Sequence, residues 1–144
     1  MSLAVIGDGA SYEFRWRTWA LLRDVVVANL DEATLPVFCA IGDALVNGPQ
    51  RADAAALAAD ITRIRTWLIG RPFEDLVLGP RTSAMLHFAP RVAARRPLSR
   101  NEAEAIRAIG NAADLAEYFA TMLDSLDHVC AHPASDGTIE IVDG

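Results

Sequence analysis

The sequence predicts a mostly α-helical fold with a small antiparallel β element. In this α+β arrangement four to five helices pack on a terminal β-hairpin or three-stranded sheet. Three observations carry the expectation. An Asp-Gly turn near the N-terminus joins two short runs of strand character. A short alternating run lies near the C-terminus. Apolar residues at helical spacing occupy much of the chain between them.

Leu3–Ile6 and Ser11–Trp16 are the first two strands, joined through Gly7-Asp8-Gly9-Ala10. Tyr12, Phe14 and Trp16 alternate with Glu13, Arg15 and Arg17, so one face is expected to be buried and one wet. Met1-Ser2-Leu3 reads as a vector-derived leader, and no weight rests on those residues. Asp136-Gly137 precedes the alternating run Thr138–Val142, which is expected to join the N-terminal pair, because a lone hairpin is marginal in water.

Trp19–Leu30 reads as a helix on the spacing of Trp19, Leu22, Val26 and Leu30, although Val25-Val26-Val27 favours a strand. Thr34 is expected to cap a second helix from Leu35 to about Val46, with Pro36 in its first turn and Gly48 beyond its end. Asp53 is expected to cap a third, Ala54–Ile69, whose stripe is Leu57, Ile61, Ile64 and Leu68. Residues 73–97 admit a second hairpin, Asp75–Leu78 with Ala84–Phe88, or a short helical excursion. Ser99-Arg100-Asn101-Glu102 is a capping box for the last helical stretch. Two seams follow: Ile106, Ile109, Ala113, Ala116, Ala120 and Leu123, then Leu115, Phe119, Met122, Leu126 and Val129. Unbroken, this helix would be about 45 Å long. A break at Gly110-Asn111 is therefore expected.

The 144 residues fit a single domain, residues 1–144, able to bury a sizeable core without disulfides or metal. All 13 basic residues are Arg, so Schiff-base lysine chemistry and P-loop phosphate binding are excluded. The net charge of −6 makes nucleic acid an unexpected partner. That charge is segregated. Residues 1–75 carry −3, residues 76–101 carry +5 from Arg81, Arg91, Arg95, Arg96 and Arg100, and residues 102–144 carry −8. No apolar run is long enough for a membrane span or a signal peptide, so a cytoplasmic protein is expected. Cys39 and Cys130, both among apolar neighbours, read as small buried hydrophobes.

Three clusters carry candidate chemistry. Asp124 and His128 share a helix face, and with Cys130 and His132 they are candidate metal ligands. His128 and Asp124, or His87, are candidate catalytic groups. Against these, a histidine near a helix C-terminus is ordinary dipole chemistry. The Arg81–Arg100 stretch could bind an anionic partner through bidentate guanidinium forks, or pair with the chain's own acidic last third. Arg15, Arg17 and Trp19 have interface composition, but ordinary packing with solvated Arg is the favoured reading.

No Gly-x-Ser-x-Gly elbow, dinucleotide fingerprint, Walker loop or His-Glu-x-x-His is present. No cofactor is implied. In size, acidity and missing catalytic motifs the chain is similar to small bacterial immunity or accessory proteins. That resemblance implies a non-enzymatic interaction domain that binds a protein partner through charged surfaces. The alternatives are a small ligand-binding domain or enzyme working with Asp, Glu, Arg and His, and a helical self-association module using residues 106–129.

Overall fold

The computed structural model describes residues 1–69, 77–78, 96–97, 100 and 115–144. In chain order the elements are β1 (Ser2–Ile6), β2 (Ser11–Arg15), α1 (Trp16–Asn29), α2 (Pro36–Cys39), α3 (Ala44–Asn47), β3 (Gln50–Asp53), α4 (Ala54–Leu68), β4 (Val77–Leu78), β5 (Arg96–Pro97), α5 (Leu115–Cys130) and β6 (Thr138–Asp143). Two single-turn 3-10 segments, Glu32–Thr34 and Ile41–Asp43, flank α2. The mixture is α+β, as the sequence predicts.

β1, β2, β6 and β3 form one antiparallel sheet in the order β2-β1-β6-β3. The terminal strand does join the N-terminal hairpin, with Val5 opposite both Tyr12 and Ile141. The sheet nevertheless has four strands rather than three. The fourth, Gln-Arg-Ala-Asp, has neither β propensity nor apolar alternation, and its strand geometry comes from pairing with β6, Ala52 opposite Ile139. Ser2 and Leu3 belong to the fold, since Leu3 is fully buried.

Period-two alternation gives the sheet two unlike faces. Leu3, Val5, Phe14, Ile139 and Ile141 point inward and are buried. Tyr12 stacks on Phe14 on the same side, with ring centroids 5.3 Å apart. Burial raises the Tyr12 hydroxyl above its ordinary pKa. The core lies between this face and the helices. It includes Leu22 and Val26 of α1, Leu57, Ile61, Ile64 and Leu68 of α4, and Phe119, Met122, Leu126 and Val129 of α5. Each such aliphatic contributes roughly 1.5–3 kcal/mol.

α1 begins directly at the end of β2, with Trp16 as its first residue, and runs through Val25-Val26-Val27. Burial of Val25 and Val26 in the core overrides their strand preference. The Asp53 carboxylate caps α4 by accepting the Ala55 N–H at 3.1 Å, and the predicted stripe is buried throughout.

The predicted helix Leu35–Val46 is instead broken into α2, a 3-10 turn and α3. Thr34 does not cap it; its hydroxyl donates to the Asp31 carbonyl. A Cβ on Gly42 would stand 2.6 Å from Cη2 of Trp19, so the turn follows the face of a buried indole. The N–H groups that open α2 are met from a distance. Oδ2 of Asp60, on α4, accepts the N–H of Val37 and of Phe38, each at 2.9 Å.

Among the described residues Val77–Leu78 pairs with Arg96–Pro97. Residues 84–88, the capping box beyond Arg100, Ile106, Ile109, Ala113 and the Gly110-Asn111 break lie outside the described residues. Within α5 the seam residues Phe119, Met122, Leu123, Leu126 and Val129 are all buried. That portion of the proposed self-association face is thus consumed by the core.

Candidate functional site

Asp124, Asp127, His128, Cys130 and His132 converge in sequence at the end of α5, but they face different surroundings. Nη2 of Arg65, on α4, lies 2.7 Å from Oδ1 of Asp124 and 3.7 Å from Oδ2 of Asp127. Neither that nitrogen nor Arg65 Nε makes a hydrogen bond of good geometry among the described residues. The contact is therefore a charge pair rather than a bidentate fork. The two carboxylates serve to fasten α5 to α4 beside a cleft of about 210 Å³ lined by Leu68, Ile69, Ala120 and Leu123.

His128 turns to His132 instead, with ring centroids 4.6 Å apart. Nδ1 of His132 stands 2.9 Å from the His128 carbonyl. A carbonyl can only accept, so Nδ1 carries the proton in that contact. No carboxylate lies within salt-bridge distance of either ring among the described residues. Cys130 points into the core, where burial first and Asp127 second push its thiol up to about 11. Cys39, half-buried, is pushed up to about 11, chiefly by burial. Neither thiol is a nucleophile near neutral pH. Among the described residues no three His, Cys, Asp or Glu side chains are placed to hold a metal ion.

The other predicted residues separate as well. Trp19 is core rather than interface: it is 4% exposed, and its indole N–H donates to the Phe38 carbonyl at 3.3 Å. Arg23 lies 6.0 Å from its ring and pairs with Glu32 at 2.6 Å. Arg15 is exposed at the start of α1. Arg100 is helical and exposed. Arg96 is placed in β5 by its backbone alone. Arg81, Arg91, Arg95 and His87 lie outside the described residues, as does the side chain of Arg17.

Sequence reasoning missed two features. The first is Asp60, 2% exposed, whose Oδ1 accepts from Arg63 Nη1 at 3.0 Å while its Oδ2 holds α2. Its signal was available, because an acid three residues after Leu57 falls on the buried stripe of α4.

The second is the outer face of the sheet. No side chain on that face is buried among the described residues. The inner strands β1 and β6 supply its centre, where Ala4 stands opposite Val142 and Ile6 opposite Glu140. The edge strands supply charges: Glu13 and Arg15 on β2, Arg51 and Asp53 on β3. Ile6 is 37% exposed. At one end the face dips into a cleft of about 370 Å³ lined by Ile6, Asp8, Arg51, Ser135, Thr138 and Glu140.

Local chemistry holds the rim of this cleft. The Gly7-Asp8-Gly9 turn docks on the end of α5, with the Asp8 N–H donating to the His132 carbonyl at 2.8 Å. A Cβ on Gly7 would collide with that carbonyl oxygen, so glycine is required there. The Thr138 hydroxyl and N–H both donate to Oδ1 of Asp136, and these bonds hold the Asp136 carboxyl below its ordinary pKa. Arg51 Nη2 donates to the same hydroxyl oxygen at 3.0 Å. Among the described residues no helix is long and apolar enough to cross a membrane. No family model, curated protein or solved structure matches the chain.

Proposed function

We propose that the chain is a small non-enzymatic protein-interaction domain, of the bacterial immunity-like or accessory type, and that its partner docks on the outer face of the sheet. The supporting observation is the layout of that face, an apolar patch of Ala4, Ile6 and Val142 on the central strands, interrupted by Glu140, between charged edges. Protein interfaces share this anatomy, a drier middle within a polar rim. The cleft beside Ile6 adds concavity, and its carboxylates, Asp8 and Glu140, outnumber its one guanidinium, Arg51. Such a cleft suits a basic side chain whose aliphatic stem lies over Ile6. Charges on the rim supply encounter rate and register more than affinity.

The enzyme alternative gains no support from His128, which meets a second imidazole rather than a carboxylate. The partner class, the cytoplasmic setting and the lack of a cofactor are parts of the same proposal. Ile6→Arg places a bulky charge at the end of the face beside the cleft, without touching the core. Pull-down of a specific partner from the native source should be lost with Ile6→Arg and kept with Thr62→Arg, on the exposed side of α4. Retention by Ile6→Arg overturns the assignment of the face.

A further inference from the structure

We infer that β3 is a self-association edge, on which a second copy of this chain adds its own β3 antiparallel about a two-fold axis through Ala52. This inference is independent of what docks on the sheet face. It starts from hydrogen-bond parity. The Ala54 N–H donates to the Gly137 carbonyl at 3.0 Å, and the β3–β6 register continues through Ala52 opposite Ile139 and Gln50 opposite Ile141. In an antiparallel ladder, residues that bond to a neighbour alternate with residues that point away from it. The N–H and carbonyl of Arg51 and the N–H of Asp53 therefore point outward, whereas the Asp53 carbonyl, at the N-cap of α4, accepts the first bond of that helix. β3 is the last strand on its side of the sheet.

A two-fold axis through Ala52 sets Arg51 of one copy opposite Asp53 of the other, and the reverse. In each such pair the Asp53 N–H of one copy points at the Arg51 carbonyl of the other. Two pairs then make two main-chain hydrogen bonds. The same register sets a guanidinium opposite a carboxylate twice, which favours cross-strand pairing, whereas an edge with like charges in that relation would repel its copy. Asp53 spends Oδ1 on capping α4, and Arg51 spends Nε and Nη2 on Thr138, so Oδ2 and Nη1 remain for the pair.

Ala52 falls on the axis, at a non-hydrogen-bonded position where Cα atoms approach to about 4.5 Å. Its methyl is small enough for that approach. Beside it a groove of about 310 Å³ runs between β3 and α2, lined in part by Pro36, Val37, Ala40 and Ala52. This groove has room for the partner's Ala52. Pro49, without an N–H, and the start of α4 at Ala54 limit the ladder to these two bonds.

Sedimentation of the full chain over a range of concentrations, with amide hydrogen exchange at both extremes, tests the inference. A reversible dimer is expected, with the Asp53 amide exchanging more slowly at high concentration. Arg51→Glu should weaken the dimer by at least about tenfold, since it converts two attractive cross-strand pairs to repulsive ones. Asp53→Asn, which retains a good N-cap, should weaken it less. Ile6→Arg should leave self-association unchanged, which separates this result from partner capture. A strict monomer overturns the inference. So does a dimer in which the Asp53 amide stays unprotected, or one that protects Ser11 and Glu13 on the β2 edge instead.

Discussion

Asp60 illustrates how one residue organises its neighbourhood. A carboxylate on the apolar stripe of α4 would be costly if unpaired. It is tolerated because Val37, Phe38 and Arg63 all donate to it. Asp60→Ala should cost roughly 2–3 kcal/mol in urea denaturation, because it orphans two N–H groups at the start of α2. A cost near zero would mean that water replaces the carboxylate. The cysteines make a second prediction. A rise from 9.0 to about 11 cuts the thiolate fraction at pH 8 on the order of a hundredfold. Disulfide-exchange reagents should therefore label the native protein far more slowly than the unfolded one. Because the folded pKa is raised, the stability these thiols contribute is complete below the unfolded pKa and is lost as pH rises towards 11. At this scale the burial of Cys130 was legible in the sequence, and Trp19 packs in the core, the reading its sequence context favoured over an interface. Interface-like composition cannot distinguish an indole at the surface from one packed on Gly42.

Elements with a strong local signal were legible, and those imposed by tertiary contact were not. α4 was readable to within a residue because its cap, its stripe and its length agree. Ile64 is 0% exposed at the middle of that stripe, so Ile64→Asp should unfold or severely destabilise the protein. A melting temperature near that of the wild type would refute the packing of α4. β3 had no readable signal, since its strand geometry is conferred by β6. The segment from Leu35 to Val46 had a helical signal, but Asp60 holds its start and the turn at Gly42 against Trp19 divides it. Both are long-range relations that no local window contains. The predicted chemical cluster at the end of α5 failed for a related reason. Sequence proximity placed Asp124, His128, Cys130 and His132 together, whereas helix geometry turns Cys130 inward and leaves the carboxylates to Arg65.

At the scale of the molecule the decisive asymmetry is between the two faces of the sheet. The inner face meets α1, α4 and α5, while the outer face keeps Ala4, Ile6 and Val142 half-buried or exposed between charged edges. The alternation of β2 made its wet side legible in advance. The apolar patch was not, because it depends on β6 standing beside β1 across nearly the whole length of the chain. Site-specific photo-cross-linking tests this claim most directly. A photoreactive side chain placed at Ile6 should form a discrete covalent adduct with a partner from the native source, and one placed at Thr62 should not. Equal labelling from both positions, or an adduct from Thr62 alone, would contradict the assignment of the outer face as the docking surface.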